Sequence, residues 1–181
     1  MIREVESPIN AIVGDKGACK TLMMTYLAEY HYKYENRNIY SNYKLNNIPY
    51  KPFTYDMLKE LPEDMRNGII LMDEIQQGSD AYEFLSKKSK AITTLATQLR
   101  KRNLTIYMTT QRFEQIAKRL RNLTDFIYAL SPYYDKGHLI KGIAYVEQYD
   151  RADPFNDIPV RKFIFDGREW FGHYDSHEVI K

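Results

Sequence analysis

The sequence has little of several features that would place it in a specialised class. Its single cysteine cannot form an internal disulfide, and it contains neither an N-terminal hydrophobic signal region nor an apolar stretch of about 18 residues. We therefore expect a soluble, intracellular chain that does not itself span a membrane. The formal net charge of +2 argues against a globally basic nucleic-acid-binding protein, so any contact with DNA would need a local basic patch.

The sequence also lacks an internal repeat, a low-complexity tract and a linker rich in Gly or Ser. A length of 181 residues suits one domain with a central sheet covered by helices on both faces. We predict a single domain over residues 1–181, with a core at about 9–131 and an extension at about 132–181. The 16 tyrosines can fill a core, anchor an interface or stack on bases, and we favour the first two roles.

Residues 9–27 organise the chain, because a short apolar run there meets glycines, then Lys-Thr, then an apolar helical pattern. Such a strand, loop and helix can direct backbone N–H groups at a polyphosphate, while a lysine reaches the β and γ oxygens and a hydroxyl holds Mg²⁺. Cys19 stands where the P-loop signature has glycine, and an ordinary strand-to-helix turn is the alternative. The predicted nucleotide-binding residues are Gly14, Asp15, Lys16, Gly17, Ala18, Cys19, Lys20, Thr21 and Leu22.

Hydrophobic periodicity predicts strands alternating with helices. The strands are expected at 9–13, 38–43, 69–72, 104–109 and 126–130, the last closed by Ser131-Pro132. The helices are expected at about 20–34, 55–61 and 81–102 and from about residue 113. Strands separated by helices of this length imply right-handed βαβ units and a parallel sheet, so the class is α/β. The segments 140–149 and 160–165 predict a C-terminal β appendage.

The run from Ile69 to Met72 is apolar without alternation, as expected of a central parallel strand, and it ends at Asp73-Glu74. Ligands bind at the carboxyl ends of strands in open α/β sheets. We expect Asp73 to hold Mg²⁺ through water and Glu74 to polarise the attacking water. The alternative is a helix N-cap followed by a solvated neighbour.

A third motif, Thr109-Thr110-Gln111-Arg112, ends the next predicted strand. An amide such as Gln111 at a strand tip can contact both the γ-phosphate and the attacking water, and in that way sense hydrolysis. The alternative is a simple strand-to-helix turn, which Thr and Gln commonly form.

Together these motifs resemble the FtsK/HerA superfamily of P-loop ATPases. The order is a Walker A-like loop, the strand ending in Asp73-Glu74, a Leu-Arg-Lys-Arg-Asn run leading to Thr-Thr-Gln-Arg, and then Arg119-Leu120-Arg121-Asn122. Within the superfamily, the chain is most similar to the genome-packaging ATPases of viruses that infect archaea and to Zot-like phage assembly proteins. Residues 41–45 and 73–76 are similar to Zot-like sequences, and the resemblance covers about residues 9–131.

The resemblance implies a P-loop NTPase sheet in the order 5-1-4-3-2, with the predicted strands numbered along the chain. It implies ATP and Mg²⁺ as ligands, with Thr21 and Asp73 at the metal. It further implies a homo-oligomeric ring, usually hexameric, that threads double-stranded DNA and docks on a viral capsid or portal-vertex protein. The expected function is an ATP-driven DNA translocase of viral genome packaging, acting in the host cytoplasm during virion assembly or associated with the virion.

Two other functions stay open at this point. A Zot-like ATPase could power filamentous virion assembly or export, although such a protein would normally carry a transmembrane segment. A nucleotide-binding but catalytically silent structural protein is consistent with Cys19.

Family members also draw an arginine from the neighbouring subunit, and Arg100 and Arg102 match in position. Alternatively, they form a basic helix end that complements the helix dipole. Lys118, Arg119 and Arg121 lie near the apolar face of the last predicted helix, where they can line a pore or stay solvated, and we favour the second role. The predicted catalytic residues are Glu74, Lys20, Gln111, Arg100 and Arg102.

Two minor features suggest sites that we do not favour. His173, Asp175 and His177 would share one face of a strand and could bind a metal, but a solvated C-terminal tail is the preferred interpretation. Cys19 could be a reactive thiol beside Lys20. We prefer the interpretation that it replaces glycine at some loss of phosphate affinity.

Overall fold

The fold alternates strands and helices through its first two thirds. It is that of a computed structural model, which describes residues 8–77, 89–151 and 158–179. The helices are α1 (Lys20–Glu35), α2 (Ser89–Lys101) and the short α3 (Lys118–Arg121). The strands are β1 (Ile9–Val13), β2 (Asn38–Ser41), β3 (Tyr43–Leu45), β4 (Lys51–Pro52), β5 (Gly68–Met72), β6 (Leu104–Thr110), β7 (Phe126–Asp135), β8 (His138–Asp150), β9 (Arg161–Asp166) and β10 (Tyr174–Val179). Short 3₁₀ turns lie at Tyr55–Leu58, Ile75–Gln77, Phe113–Gln115 and Arg168–Trp170.

Eight of the described strands form one sheet in the order β4-β2-β5-β6-β1-β7-β8-β9. In this sheet order, the six strands from β4 to β7 run parallel to one another. β8 and β9 extend the sheet as antiparallel strands. The predicted order 5-1-4-3-2 corresponds to β7-β1-β6-β5-β2 and is confirmed. Val13 pairs with Thr110 and Met72 with Met108, so the carboxyl ends of β1, β5 and β6 meet at one edge of the sheet.

Two hydrophobic clusters cover the faces of this sheet. Ile69 and Leu71 belong to the cluster that contains the α1 residues, whereas Ile70 and Met72 belong to the cluster that contains Leu95 of α2. All four β5 side chains are fully buried. A strand covered on both faces has no solvent side to carry polar residues, which explains the continuous apolar run in the sequence.

The helix expected from Phe113 onward is not continuous. A 3₁₀ turn at Phe113–Gln115 is followed by an extended Ile116, with φ −76° and ψ 138°, before α3 begins. The Gln115 side-chain oxygen holds the turn closed, because it accepts hydrogen bonds from the Arg112 amide and the Thr110 hydroxyl, both at 3.2 Å. The adjacent residues Ile116 and Ala117, at this extended break, are both buried in the core.

The C-terminal β segments predicted at 140–149 and 160–165 are confirmed as β8 and β9, and they extend the main sheet. β7 also continues through Pro132 to Asp135, although Ser131-Pro132 was expected to close it. β1 pairs with β7 only as far as Ala129, so beyond that point one side of β7 has no neighbouring strand. A proline that cannot donate a ladder hydrogen bond is tolerated at such a free side, and the register with β8 shifts just after it.

The expected solvated tail is instead a strand, because β10 pairs antiparallel with β3 in a second, two-stranded sheet. The described side chains contain no group of three or more His, Cys, Asp or Glu that could hold a metal ion. Helix α2 confirms the later part of the helix expected at 81–102, while its expected start lies outside the described residues. None of the described helices is long and apolar enough to cross a membrane.

Candidate functional site

The candidate site lies where β1, β5 and β6 end, and residues 14–22 form its loop. Gly14 packs under β7 so closely that a β carbon there would lie 2.4 Å from the carbonyl oxygen of Leu130. Gly17 has a left-handed backbone with φ +86°, which glycine adopts without strain. Ala18 is buried, while Asp15 and Lys16 are exposed at the tip of the loop. The loop therefore has the tight path that a phosphate-binding loop requires at its two glycines.

Cys19 has the conformation for which the signature uses glycine. Its φ of 64° and ψ of 21° are left-handed, and its carbonyl accepts a hydrogen bond of 2.9 Å from Met23 as α1 begins. A β carbon makes this conformation cost about 1–2 kcal/mol. Burial raises the pKa of the Cys19 thiol, which is against a reactive thiolate and favours the interpretation that cysteine replaces glycine.

Lys20 is buried at the first position of α1 and extends back across the loop. Its Nζ donates a hydrogen bond of 3.0 Å to the carbonyl of Asp15. Burial lowers the pKa of Lys20, while the carboxylates of Asp73, Glu74 and Asp15 oppose that shift. These carboxylates act on Lys20 because the loop and the end of β5 face each other.

Thr21 joins the loop to the acidic pair directly. Its hydroxyl lies 3.1 Å and 3.2 Å from the two carboxylate oxygens of Asp73 and donates to them. The hydroxyl of Thr109, at the end of β6, also donates to the Asp73 carboxylate. A hydroxyl and a carboxylate at this separation are ligand types that Mg²⁺ prefers, so the residues present fit a magnesium ion. Leu22, the next residue, is buried against the sheet.

The backbone of the acidic pair is held by two residues that were not predicted as site residues. The Asn42 side chain accepts a hydrogen bond of 2.7 Å from the Asp73 amide and donates one of 3.0 Å to the Asp73 carbonyl. The Tyr55 hydroxyl donates to the carbonyls of Asp73 at 2.6 Å and Glu74 at 3.1 Å. Burial raises the pKa of Tyr55, which keeps its hydroxyl a donor.

Glu74 follows Asp73 with a left-handed backbone, φ 49°. The Thr109 hydroxyl accepts a hydrogen bond of 2.9 Å from the Glu74 amide. The Glu74 carboxylate accepts a hydrogen bond from the side-chain amide of Gln77, one turn further along. Gln111 comes directly after β6 and is exposed, and β6 lies between β1 and β5 in the sheet. The structure thus brings Lys20, Thr21, Asp73, Glu74 and the Gln111 strand end to one edge.

Arg100 and Arg102 lie at the opposite edge of the sheet, where β6 begins. β6 has seven residues, so its ends are about 20 Å apart at about 3.3 Å per residue. The Arg102 guanidinium donates to the carbonyls of Leu61 at 3.3 Å and Pro62 at 2.7 Å. Arg100 is exposed. Burial raises the pKa of Asp125, and the positive charge of Arg100 opposes that shift. Neither arginine is close to the phosphate loop of its own chain.

The remaining basic candidates lie on α3. Lys118 is exposed, whereas Arg119 and Arg121 are half-buried. Arg119 Nη1 and Arg121 Nε are buried atoms with no hydrogen-bond partner among the described residues. These two side chains are therefore less solvated than their predicted role as surface charges implies.

Comparisons with known proteins bear on the family and the fold of the chain. The family model described as "Zonular occludens toxin (Zot)" matches residues 37–134, a range that includes the acidic pair and Gln111 but not the loop at 14–22. No curated protein matches the chain.

Three solved structures illustrate the fold. The N-terminal domain of zonular occludens toxin from Neisseria meningitidis is 21% identical, with a TM-score of 0.64 over 93% of this chain and 99% of that one. The flagellar accessory protein FlaH from Methanocaldococcus jannaschii is 11% identical, with a TM-score of 0.59 over 78% and 77%. The genome packaging NTPase B204 from Sulfolobus turreted icosahedral virus 2, in complex with ATP-gammaS, is 12% identical, with a TM-score of 0.56 over 89% and 98%. At these identities the likeness establishes the P-loop NTPase fold.

Proposed function

The chain belongs to the zonular occludens toxin family, and from that premise we propose that it is an ATPase that moves double-stranded DNA during virus assembly. The observation that carries this proposal is the contact between Thr21 and Asp73, at 3.1 Å. It joins a phosphate-binding loop to the carboxylate that follows the buried strand β5, which is separated from β1 by β6. An ordinary strand-to-helix turn gives no reason for that pairing, whereas a site for a nucleotide and Mg²⁺ requires it.

Each residue has a distinct part in the proposed site. The backbone amides of residues 14–22 bind the phosphates, and the Lys20 ammonium neutralises charge on the β and γ oxygens. Thr21 and Asp73 would hold the metal ion, which supplies further charge neutralisation when bound. Glu74 polarises the attacking water, and Gln111 at the tip of β6 contacts the water and the terminal phosphate.

Thr109 provides a path by which Gln111 can respond to hydrolysis. Its hydroxyl contacts both the Asp73 carboxylate and the Glu74 amide, and it lies two residues before Gln111 on the same strand. A displacement at the end of β6 would therefore move the acidic pair as well. This coupling between sensor and catalytic base is what a motor needs in order to link phosphate release to movement.

Double-stranded DNA is the proposed cargo, and the exposed Lys118 of α3 is its proposed contact. B204, which shares the fold, is a genome packaging NTPase. A homo-oligomeric ring, a capsid or portal-vertex partner and action in the host cytoplasm belong to the same proposal.

A second candidate, favoured by the family match over residues 37–134, is a Zot-like ATPase for filamentous virion assembly or export. The third is a nucleotide-binding protein without activity, which the left-handed Cys19 favours.

Phosphate release, measured with and without linear double-stranded DNA at low salt, separates these functions. We expect DNA to raise the rate and added salt to remove the stimulation, because phosphate contacts by basic residues are salt-dependent. Lys20→Ala should abolish nucleotide binding, whereas Glu74→Gln should bind ATP without hydrolysing it. Hydrolysis that DNA does not change would favour the second candidate. ATP binding without hydrolysis in the parent protein would favour the third.

A further inference from the structure

The C-terminal segment begins after β9 with the turn Arg168–Trp170, which packs against α1 and lies beside Gly142 of β8. Further along, β10 leaves this side of the phosphate loop and pairs with β3. A cavity of about 600 Å³ opens at the turn, lined by Asp166, Arg168, Glu169 and Trp170. This volume is within the usual range for a small-molecule site. The residues of this cavity have no part in the site described above.

The cavity is joined to the phosphate loop through Gly142 of β8. The Cys19 thiol lies 4.0 Å from the carbonyl oxygen of Ile143, the neighbour of Gly142. A β carbon on Gly142, which has φ +84°, would lie 2.5 Å from the Phe171 ring and 3.0 Å from Arg168 Cγ. The backbone of Gly142 thus lies between the loop and the C-terminal segment, with no room for a side chain.

The order of the strands decides which end of a nucleotide would face this cavity. The acidic pair and Gln111 follow β5 and β6, on one side of β1, while β7, β8 and β9 lie on the other. Hydrolysis takes place at the γ-phosphate, so the γ end of a bound triphosphate points toward β5. The α-phosphate, with its ribose and base, must then leave the loop toward β8 and β9.

We propose that the cavity lined by Asp166, Arg168, Glu169 and Trp170 is the subsite for the base and ribose of the bound nucleotide. This inference rests on the proposed nucleotide-binding function. Asp166 accepts two hydrogen bonds from the exposed Arg168 guanidinium, at 2.9 Å from Nε and 2.5 Å from Nη2, which orient its plane. A guanidinium plane and an indole are groups on which bases stack. The Glu169 carboxylate can accept hydrogen bonds from ribose hydroxyls or an amino group of the base.

Contacts with α1 and with the loop after β3 hold the residues of the subsite in place. The Trp170 ring packs edge-on against Tyr26 of α1, with centroids 4.9 Å apart. The Glu29 carboxylate of α1 accepts a hydrogen bond of 2.6 Å from His173 Nδ1, and the Asn46 side chain donates to the Gly172 carbonyl at 2.8 Å. The segment is therefore attached to both α1 and the loop after β3.

Trp170 is the only tryptophan in the chain, so its fluorescence reports on the subsite without any substitution. We compare Mg²⁺-ATP with Mg²⁺-tripolyphosphate, which has the phosphates but no ribose or base, and follow binding by calorimetry and Trp170 emission. ATP should change the emission, whereas tripolyphosphate should bind without changing it.

Arg168→Ala and Glu169→Ala should weaken ATP binding roughly fivefold to 100-fold, as expected for lost stacking or hydrogen bonds, and leave tripolyphosphate binding unchanged. Arg161→Ala, at the other end of β9, is the matched control and should alter neither. If ATP binds with no change in emission and both variants keep the parent preference for ATP over tripolyphosphate, the subsite is refuted while nucleotide binding stands. If the parent protein binds neither compound, both proposals fail.

Discussion

At the scale of single residues, Cys19 shows how a departure from a motif is accommodated. The loop keeps the left-handed turn of the signature although the residue has a β carbon. The backbone requirement therefore comes from the path between β1 and α1, and the residue type adapts to it. Cys19 carries the strain, while Gly14 and Gly17 meet the other two tight positions of the loop.

We predict that Cys19→Gly tightens ATP binding by about 1 kcal/mol, roughly fivefold, because without a β carbon the backbone can approach the phosphates more closely. Glycine also holds the left-handed conformation of the unliganded loop without the steric cost of a β carbon. The free energy of unfolding should rise by a similar amount. Calorimetric titration and urea unfolding measure the two effects. Cys19→Ala is the control, since it removes the thiol but keeps the β carbon and should give no gain. Equal or weaker ATP binding by Cys19→Gly would show that the loop has adapted to cysteine.

The hydrogen bonds of Asn42 to Asp73 are a part of the site that sequence patterns did not predict. The P-loop, the acidic pair and Gln111 were predictable, because each belongs to a local run of sequence that ends a strand. Asn42, just after β2, and Tyr55, just after β4, contact the backbone of Asp73 only because β2 lies between β4 and β5 in the sheet. A pattern along the chain does not contain that adjacency, so neither residue was predicted.

We predict that Asn42→Ala lowers the free energy of unfolding by about 1–3 kcal/mol, because it removes a buried side chain and leaves the half-buried Asp73 amide without its acceptor. It should also lower the rate of ATP hydrolysis more than the affinity for ATP, since the loop that binds the phosphates is intact. Steady-state kinetics and urea unfolding test both expectations. Asn47→Ala, at an exposed position, is the control. Hydrolysis at the parent rate by Asn42→Ala would show that the clamp does not position the acidic pair.

At the scale of elements, long-range pairing explains the differences between prediction and structure. Strand β5 was predictable because burial on both faces gives it a continuous apolar run, and β1 and β6 were predictable because most of their residues are apolar. The continuation of β7 past Pro132 depends on where β1 ends, and the strand at β10 depends on pairing with β3, far away in the sequence. The break after Phe113 depends on the Gln115 side chain closing a turn.

The attachment of the C-terminal segment to α1 predicts a dependence of stability on pH. Glu29 is buried, and its carboxylate accepts a hydrogen bond of 2.7 Å from Lys33. It accepts a second one, of 2.6 Å, from His173 when the Nδ1 atom of that histidine carries a proton. Burial would raise the pKa of Glu29, but these two hydrogen bonds and the positive charges outweigh it, and the net pKa is lowered. A lowered carboxyl pKa contributes stability above the ordinary glutamate value of about 4.3 and loses it as pH falls through the folded value.

We therefore predict that Glu29→Gln is less stable than the parent protein at neutral pH and that the difference shrinks as the pH falls below about 4.3. Urea unfolding at a series of pH values from 7 downward measures it. Glu63→Gln, at an exposed glutamate, should show no such trend and serves as the control. A difference between Glu29→Gln and the parent that stays constant with pH would mean that the Glu29 charge is not the source of the stabilisation.

At the scale of the whole molecule, the two edges of the sheet carry the two halves of the proposed hydrolysis site. Lys20, Asp73, Glu74 and Gln111 lie at the carboxyl edge, and Arg100 at the amino edge. The separation of about 20 Å along β6 prevents Arg100 from reaching the loop of its own chain. In a ring, the amino edge of one subunit can face the carboxyl edge of the next. An arginine supplied in this way stabilises the transferring phosphoryl group by about 10³ to 10⁵ in rate.

Mixing two inactive variants tests this arrangement. Arg100 is the better candidate, because Arg102 already binds the carbonyls of Leu61 and Pro62, and its loss would also affect stability. A subunit with Glu74→Gln lacks its own base but can lend its arginine, whereas one with Arg100→Ala keeps its base and has no arginine to lend. Each should be inactive alone. Mixed, they form some junctions in which an intact base faces an intact arginine, and hydrolysis should return in proportion to those junctions.

The neighbouring Lys101→Ala provides the control for this mixture, since it removes an adjacent exposed charge from the same helix end and should remain active by itself. Mass spectrometry must show that the two variants share oligomers. A confirmed mixed oligomer as inactive as its components would remove Arg100 from the hydrolysis site. Arg100 would then be a basic side chain in the last turn of α2, where a positive charge complements the helix dipole without any neighbouring subunit. Activity of the Arg100→Ala protein alone would lead to the same conclusion, because hydrolysis would then need no arginine from the amino edge.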